Sequence, residues 1–369
     1  MRVRLLMTAA VLAAAIVLTP ALAEAKRSVP DRFYGVMWDR ATVDAPEADQ
    51  AAQFVLMASS GVETVRTVFP WWKMESDPGQ PPEFSETDRL VAIASTHDIR
   101  LLPIVAYTPS WAAIDPGRFA SPPRDVDDYA AFLENLITRY GPAGTFWEER
   151  PDLPRRPLRE WQIWNEPHLQ NYWDTTGRDN DAWAPEYAAL LEAANSRIKE
   201  LDPGATVVLA GLADFAWRHY ARLARFKIAR DYDVAALNFF TSTSHKVLKG
   251  VRYFRAALRR GRAPRRPIWL TEVTWPAGKG RVPRPAPLWQ RQWWVTDSGM
   301  ATRVRELYGL AARASRRQRL RRVYWYTWSS GYQSGDLFDY TGLNRYQGQT
   351  YEPMPALSAY AKSARRHQR

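Results

Sequence analysis

The sequence predicts an α/β chain wound as a single (β/α)8 TIM barrel, and three observations carry that prediction. Short β-branched or apolar runs alternate with longer amphipathic ones, eight such runs can be counted, and the segments following several of them are long and aromatic. The predicted strands are 33–37, 63–68, 100–106, 160–164, 206–211, 234–239, 267–272 and 323–327. Helical patterns fill the intervals with end signals of their own. Asp44 with Glu47 opens one that Gly61 closes, Ser85 with Asp88 opens the next, and Asp202-Pro203-Gly204 ends the fourth. Strands that each feed a helix lie parallel, and eight of them close into a barrel.

Connection lengths identify the working rim. The chain runs without helical pattern through 70–83, 167–183, 275–288 and 329–353, all after strands, and these loops are rich in Trp, Tyr, Gly and Pro. In this architecture such loops crowd the C-terminal face, where active sites lie. The long connection 141–158 precedes strand 4 and belongs to the opposite rim.

The ends and the composition bound the rest. A basic start at Arg2 and Arg4, an apolar run over 5–18 and the ending Ala21-Leu22-Ala23 predict a secretory leader over 1–25, and hence a secreted, extracellular protein. The other reading is a retained anchor, because 5–23 approaches the length that spans a bilayer. Residues 27–369 then form one domain with a frayed basic tail at 365–369, and no stable membrane span remains once the leader is cleaved. With no cysteine among 369 residues, disulfides, thiolate metal sites and cysteine nucleophiles are excluded. The histidines, at 97, 168, 219, 245 and 367, have no metal spacing, so no metal and no cofactor is expected.

Two carboxylates reach the upper rim. Trp161-Gln162-Ile163-Trp164-Asn165-Glu166-Pro167 ends strand 4, and alternation puts Gln162, Trp164 and Glu166 on the inward face with Trp161 and Ile163 against helices. Strand 7 ends Ile268-Trp269-Leu270-Thr271-Glu272, with Glu272 inward and Trp269 opposite. Paired carboxyl groups across a cleft are what glycosidic bond cleavage requires. At a separation of roughly 5–5.5 Å the second acts as nucleophile and configuration is retained. The acid needs a raised pKa, which packing among Trp164, Trp173 and other aromatics supplies.

Trp164-Asn165-Glu166-Pro167 together with Leu270-Thr271-Glu272 resembles clan A of the retaining glycoside hydrolases. Tyr107-Thr108-Pro109-Ser110-Trp111 after strand 3 and Tyr324-Trp325-Tyr326-Thr327-Trp328 at strand 8 make it most similar to family 39 and its relatives. The resemblance spans about 33–345. It implies Glu166 as acid/base, Glu272 as nucleophile, Asn165 as a ligand of the sugar 2-hydroxyl, Arg66 as the partner that keeps Glu272 ionised, and Trp328 as the platform under the sugar, with Trp325 as the second choice. One departure stands out. Clan members commonly carry a His and a Tyr two residues apart at strand 6, where this chain has Asn238 and Phe240; either Tyr326 or Tyr107 covers the missing hydroxyl, or the departure means an altered donor site or a weak enzyme.

Other candidates carry two readings each. Asp39 and Asp214 reach the upper rim as sugar-hydroxyl ligands or loop caps, and His168 either lines the cleft or stands aside from it. Of the 17 tryptophans, Trp161 and Trp269 are expected in the core, while Trp71, Trp72, Trp111, Trp173, Trp275 and Trp328 lie in or beside upper loops, about half of them against sugar rings. The net charge is +12, and six arginines fall in 255–266 and six more in 313–322. Both runs precede neighbouring strands and form one basic patch on the lower rim, either a solvated face or a contact for an anionic cell-surface polymer. No nucleic-acid module is present. The leading expectation is a glycosidase cleaving β-linked oligo- or polysaccharide by double displacement; a barrel that binds polysaccharide without cleaving it, or a transglycosylase using the same two glutamates, are the alternatives.

Overall fold

A computed structural model describes residues 27–38, 46–282, 288–334, 336–347 and 350–369. The predicted leader, Asp39 and Asp44 lie outside the described residues. Eight parallel strands, β1 (Tyr34–Met37), β2 (Thr64–Pro70), β3 (Arg100–Ala106), β4 (Glu160–Ile163), β5 (Thr206–Val208), β6 (Ala235–Asn238), β7 (Ile268–Val273) and β8 (Leu320–Trp325), pair in the order β5-β4-β3-β2-β1-β8-β7-β6. Parallel bridges Val208–Val234 and Leu212–Leu237 join the two outer strands and close the ring. The predicted (β/α)8 barrel is therefore what the chain forms.

The helices are α1 (Glu47–Ser59), α2 (Trp71–Met74), α3 (Ser85–Thr96), α4 (Val126–Tyr140), α5 (Thr145–Glu149), α6 (Trp183–Leu201), α7 (Ala216–Leu223), α8 (Ser244–Arg260), α9 (Leu288–Arg291), α10 (Asp297–Gln318) and α11 (Pro355–Gln368). The longer ones clothe the barrel, because each carries one apolar face and the strands offer the outward half of their side chains. The short helix α5 occupies the long lower-rim connection. Ser85 lies inside α3 as its first residue, with its N–H donating to Glu83 Oε1 at 2.7 Å. The tail is not frayed: α11 continues to Gln368 because the His367 Nδ1 hydrogen-bonds the Tyr34 hydroxyl at 2.6 Å and the Gln368 amide donates to the Gly61 carbonyl at 2.8 Å.

Inside the barrel the lower layer is filled by Leu102, Val208, Val234, Ala236, Trp269 and Tyr324. The Tyr324 ring lies where a β-carbon on residue 35 would stand, so only glycine fits there. Arg322 spans this layer, bidentate to Glu160 at 2.5 and 2.6 Å and 3.9 Å over the Trp269 ring. Trp269 thus faces the interior, contrary to the expectation from strand alternation. The reason is a bulge: β6 and β8 both lose register with β7 after Leu270, so counting back by twos from Glu272 crosses an extra residue and inverts the face.

Candidate active site

Above that layer the inward side chains are polar. Arg66, wholly buried on β2, is the hub: its Nε donates to Gln162 Oε1, its Nη1 to Glu272 Oε1 and its Nη2 to Asn165 Oδ1, each at 2.8 Å. A planar guanidinium spreads these donors in fixed directions, so three elements are locked to one group. Asn238, at the end of β6, completes the chain of contacts. Its amide donates to Glu166 Oε1 at 2.7 Å and to Asn165 Oδ1 at 3.2 Å, and its carbonyl oxygen accepts from Thr271 Oγ1 at 2.7 Å. Glu166 and Glu272 are therefore joined through Asn238, Asn165 and Arg66, and both are almost fully buried.

The backbone is bent to deliver these groups. A regular strand cannot turn two consecutive side chains inward, yet Asn165 and Glu166 both face the cavity, as do Thr271 and Glu272. At β7 the bulge does this. At β4 the regular strand stops at Ile163, and Trp164 and Glu166 take left-handed φ values of 64° and 45°. Each left-handed residue costs about 1–2 kcal/mol, which surrounding contacts must offset. Those contacts are present: the Glu166 N–H donates to the Gly211 carbonyl at 3.0 Å and the Trp164 indole to the Tyr172 carbonyl at 2.7 Å. Gly211 is itself required, since a β-carbon there would lie 2.5 Å from Asn238 Oδ1. Trp164 consequently does not share Glu166's face; it is buried against Tyr107, Tyr129 and Trp173.

The electrostatics separate the two glutamates. Burial, and next the charge of Glu272, raise the Glu166 pKa to about 8; the Asn238 hydrogen bond and the Arg66 charge oppose that rise, while Asp214 adds to it. Glu272 instead holds the 2.8 Å ion pair with the buried Arg66. One carboxyl is thus biased toward the acid form at neutral pH and the other is paired with a permanent cation. Since both Arg66 and Asn238 donate to Asn165 Oδ1, the Asn165 amide nitrogen is the end left to face a ligand, as a donor.

Several candidates fall elsewhere. Trp328, expected beneath the sugar, is completely enclosed, with its indole donating to Gln53 Oε1 of α1 at 3.0 Å. Trp275 is equally enclosed, against Trp325 and below the Arg303 guanidinium. Trp71 and Trp173 are also core. His168 turns onto α6 and α7, its ring 4.1 Å from that of His219 and 6.0 Å from Trp183, and burial holds it neutral by lowering its pKa to about 3. Large flat chains lose most of their apolar surface to water unless covered, so loop tryptophans fold into the nearest core. Trp111 remains half-buried, donating to the Glu75 carbonyl at 3.0 Å. Trp72 is 44% exposed, and it meets Phe119, 63% exposed, which stacks on Tyr107 at 4.8 Å. Phe119 was not among the sequence candidates. Tyr326 lies on the Glu272 side, its N–H bonded to the Val273 carbonyl and its ring between Phe240 and Phe338. Among the described residues no cluster of three or more His, Asp or Glu is arranged to hold a metal ion.

No protein-family model matches the sequence, and no curated protein matches it. Solved structures do. A family 39 glycoside hydrolase from the gut symbiont Bacteroides cellulosilyticus WH2 superposes with a TM-score of 0.66 at 18% identity, covering 91% of this chain and 64% of its own. The GH39 enzyme from Xanthomonas axonopodis pv. citri gives 0.65 at 18% identity, covering 91% and 67%, and a GH39 β-xylosidase from Caulobacter crescentus gives 0.64 at 17%, covering 91% and 72%. The chain therefore spans about two thirds of the length of these relatives. At this identity the likeness establishes the fold alone: a (β/α)8 barrel like those of these family 39 enzymes.

Proposed function

We propose that the chain is a retaining glycosidase acting on β-linked glycans, and the observation that carries this is the hydrogen-bonded path joining a buried, proton-holding Glu166 to an arginine-paired Glu272. Glu166 gives its proton to the glycosidic oxygen as the Glu272 carboxylate attacks the anomeric carbon; the leaving-group bond breaks as a glycosyl ester forms. That ester is neutral, so the Glu272 charge that helped raise the Glu166 pKa disappears and Glu166 becomes a better anion. It then takes a proton from water, which attacks the anomeric carbon and frees Glu272. The Asn165 amide is placed to donate to the 2-hydroxyl through both steps. Trp72, Phe119 and Trp111 offer aromatic faces to sugar rings, on the segments after β2 and β3. The relatives named above include a β-xylosidase, which makes aryl β-xylosides the first substrates to try. A sugar hydroxyl in place of water gives transglycosylation from the same intermediate.

Proton NMR of the first-formed sugar tests the reading: the β-anomer must appear before mutarotation, and the α-anomer refutes it. A non-catalytic glycan-binding barrel is the second reading, favoured by Phe240 where a hydroxyl is customary; glycan retention with no release of sugar marks it. Residues 1–25 we take as a cleaved secretory leader, which N-terminal sequencing of protein from the culture medium checks. Among the described residues no helix is long and apolar enough to cross a membrane.

A further inference from the structure

The lower rim carries a charge distribution that neither folding nor the cleft accounts for. Of the two arginine runs, three members are used internally. Arg255 is buried, donating to the Gln318 carbonyl and the Arg266 carbonyl and so clasping the end of α8 to the end of α10. Arg266 pairs with Asp233, and Arg322 with Glu160. That clasp brings eight of the remaining nine members together, Arg313 lying further back along α10. Arg259, Arg260, Arg262 and Arg265 lie at and beyond the end of α8, all exposed. Arg316, Arg317, Arg319 and Arg321 lie at and beyond the end of α10, also exposed, and the Ile268 N–H bonds the Arg319 carbonyl at 2.9 Å, so the two groups adjoin. Among the described residues none of these eight side chains makes an ion pair. Two acids of this rim are already engaged, Asp233 with Lys199 and Arg266, and Glu160 with Arg322.

Helix dipoles explain only part of this. Cations in a last turn complement the C-terminal partial charge, which covers Arg259, Arg260, Arg316 and Arg317. Arg262 and Arg319 stand past the helix ends with φ values of 62° and 51°, in the left-handed region where glycine or asparagine is favoured. Two arginines held in conformations that disfavour them, amid like charges, are not there for the stability of the fold. Neither run contains a lysine, and a guanidinium fork fits a carboxylate through two parallel hydrogen bonds. No exposed large hydrophobic side chain lies in either run, so stacking on nucleobases has no platform here.

We propose that this face binds an acidic polysaccharide through its carboxylates, leaving the opposite rim and its cleft free. The surface stands independently of the cleft, whereas the choice of a polysaccharide over other polyanions rests on the glycan reading above. The test is equilibrium binding to polygalacturonate. At about 50 mM NaCl the native chain binds, and affinity falls at least tenfold by about 300 mM as the charges are screened. Arg262→Gly/Arg319→Gly/Arg316→Gln/Arg317→Gln weakens binding at least tenfold at the lower salt while its melting temperature does not fall, because the two glycines relieve left-handed backbone. Hydrolysis of a soluble aryl glycoside is unchanged in that variant. Failure of the native chain to bind polygalacturonate, binding to duplex DNA alone, or undiminished binding by the variant overturns the proposal. Because the binding measurement does not use Glu166 or Glu272, it succeeds or fails separately from the glycosidase assignment.

Discussion

Replacing Asn238 with alanine removes the one side-chain hydrogen bond that, among the described residues, favours the charged form of Glu166. The amide donates to Oε1 at 2.7 Å, and a hydrogen bond to a charged group is worth about 1.5–3 kcal/mol. One pKa unit corresponds to about 1.4 kcal/mol, so the Glu166 pKa rises by about one to two units from its value of about 8. The basic limb of kcat/KM against pH, which reports protonated acid in the free enzyme, therefore moves toward more alkaline pH. A second variant reaches the same end without deleting the amide: Gly211→Ala places a β-carbon 2.5 Å from Asn238 Oδ1 and displaces the donor. A carbon-13 NMR titration of the Glu166 carboxyl reads the same shift independently of turnover. A basic limb that stays in place or moves to lower pH in both variants shows that the Asn238 hydrogen bond does not set the proton affinity of Glu166.

Glu166→Gln raises stability in a defined window. A carboxyl whose folded pKa exceeds its unfolded value binds an extra proton in the native state between the two, so it costs stability progressively from about pH 4.5 to about pH 8. The variant's advantage is absent below that window, grows through it toward about 5 kcal/mol and then levels, as chemical denaturation at a series of pH values reads out; a gain confined to acid pH contradicts the assignment. Arg66→Met strands Glu272 in a buried site and costs about 3–5 kcal/mol at neutral pH, with loss of activity; urea unfolding with an unchanged midpoint speaks against the hub. Trp328→Phe removes a buried hydrogen bond to Gln53 and lowers stability by about 1 kcal/mol or more without moving KM, whereas a raised KM at unchanged stability would restore Trp328 as a sugar platform.

The barrel was legible because period-two and helical patterns repeat eight times, and no single error displaces the whole. The two glutamates were legible because strand ends on one rim converge whatever their neighbours do. What alternation hid was local. The β7 bulge turned Trp269 inward beneath the site, and left-handed Trp164 and Glu166 moved Trp164 out of the cavity and Asn165 into it. Each irregularity serves to aim a side chain that a regular strand would aim elsewhere. Tryptophan positions failed for another reason. A loop tryptophan and a core tryptophan share a residue type and a flanking composition, and only the tertiary packing of Gln53 onto Trp328, or of Trp325 onto Trp275, separates them. Gly211 held a readable signal, since glycine at a strand end marks a close approach; that the approaching group is Asn238 required the fold.

The most direct measurement is mass spectrometry of the protein after incubation with an activated aryl 2-deoxy-2-fluoro-β-glycoside. Fluorine at C2 slows both steps and a good leaving group restores the first, so the glycosyl ester accumulates. The expected result is a gain of one fluorosugar mass, borne by the peptide containing Glu272 and abolished by Glu272→Gln. Steady release of the aryl alcohol with no adduct, or an adduct on another side chain, contradicts it.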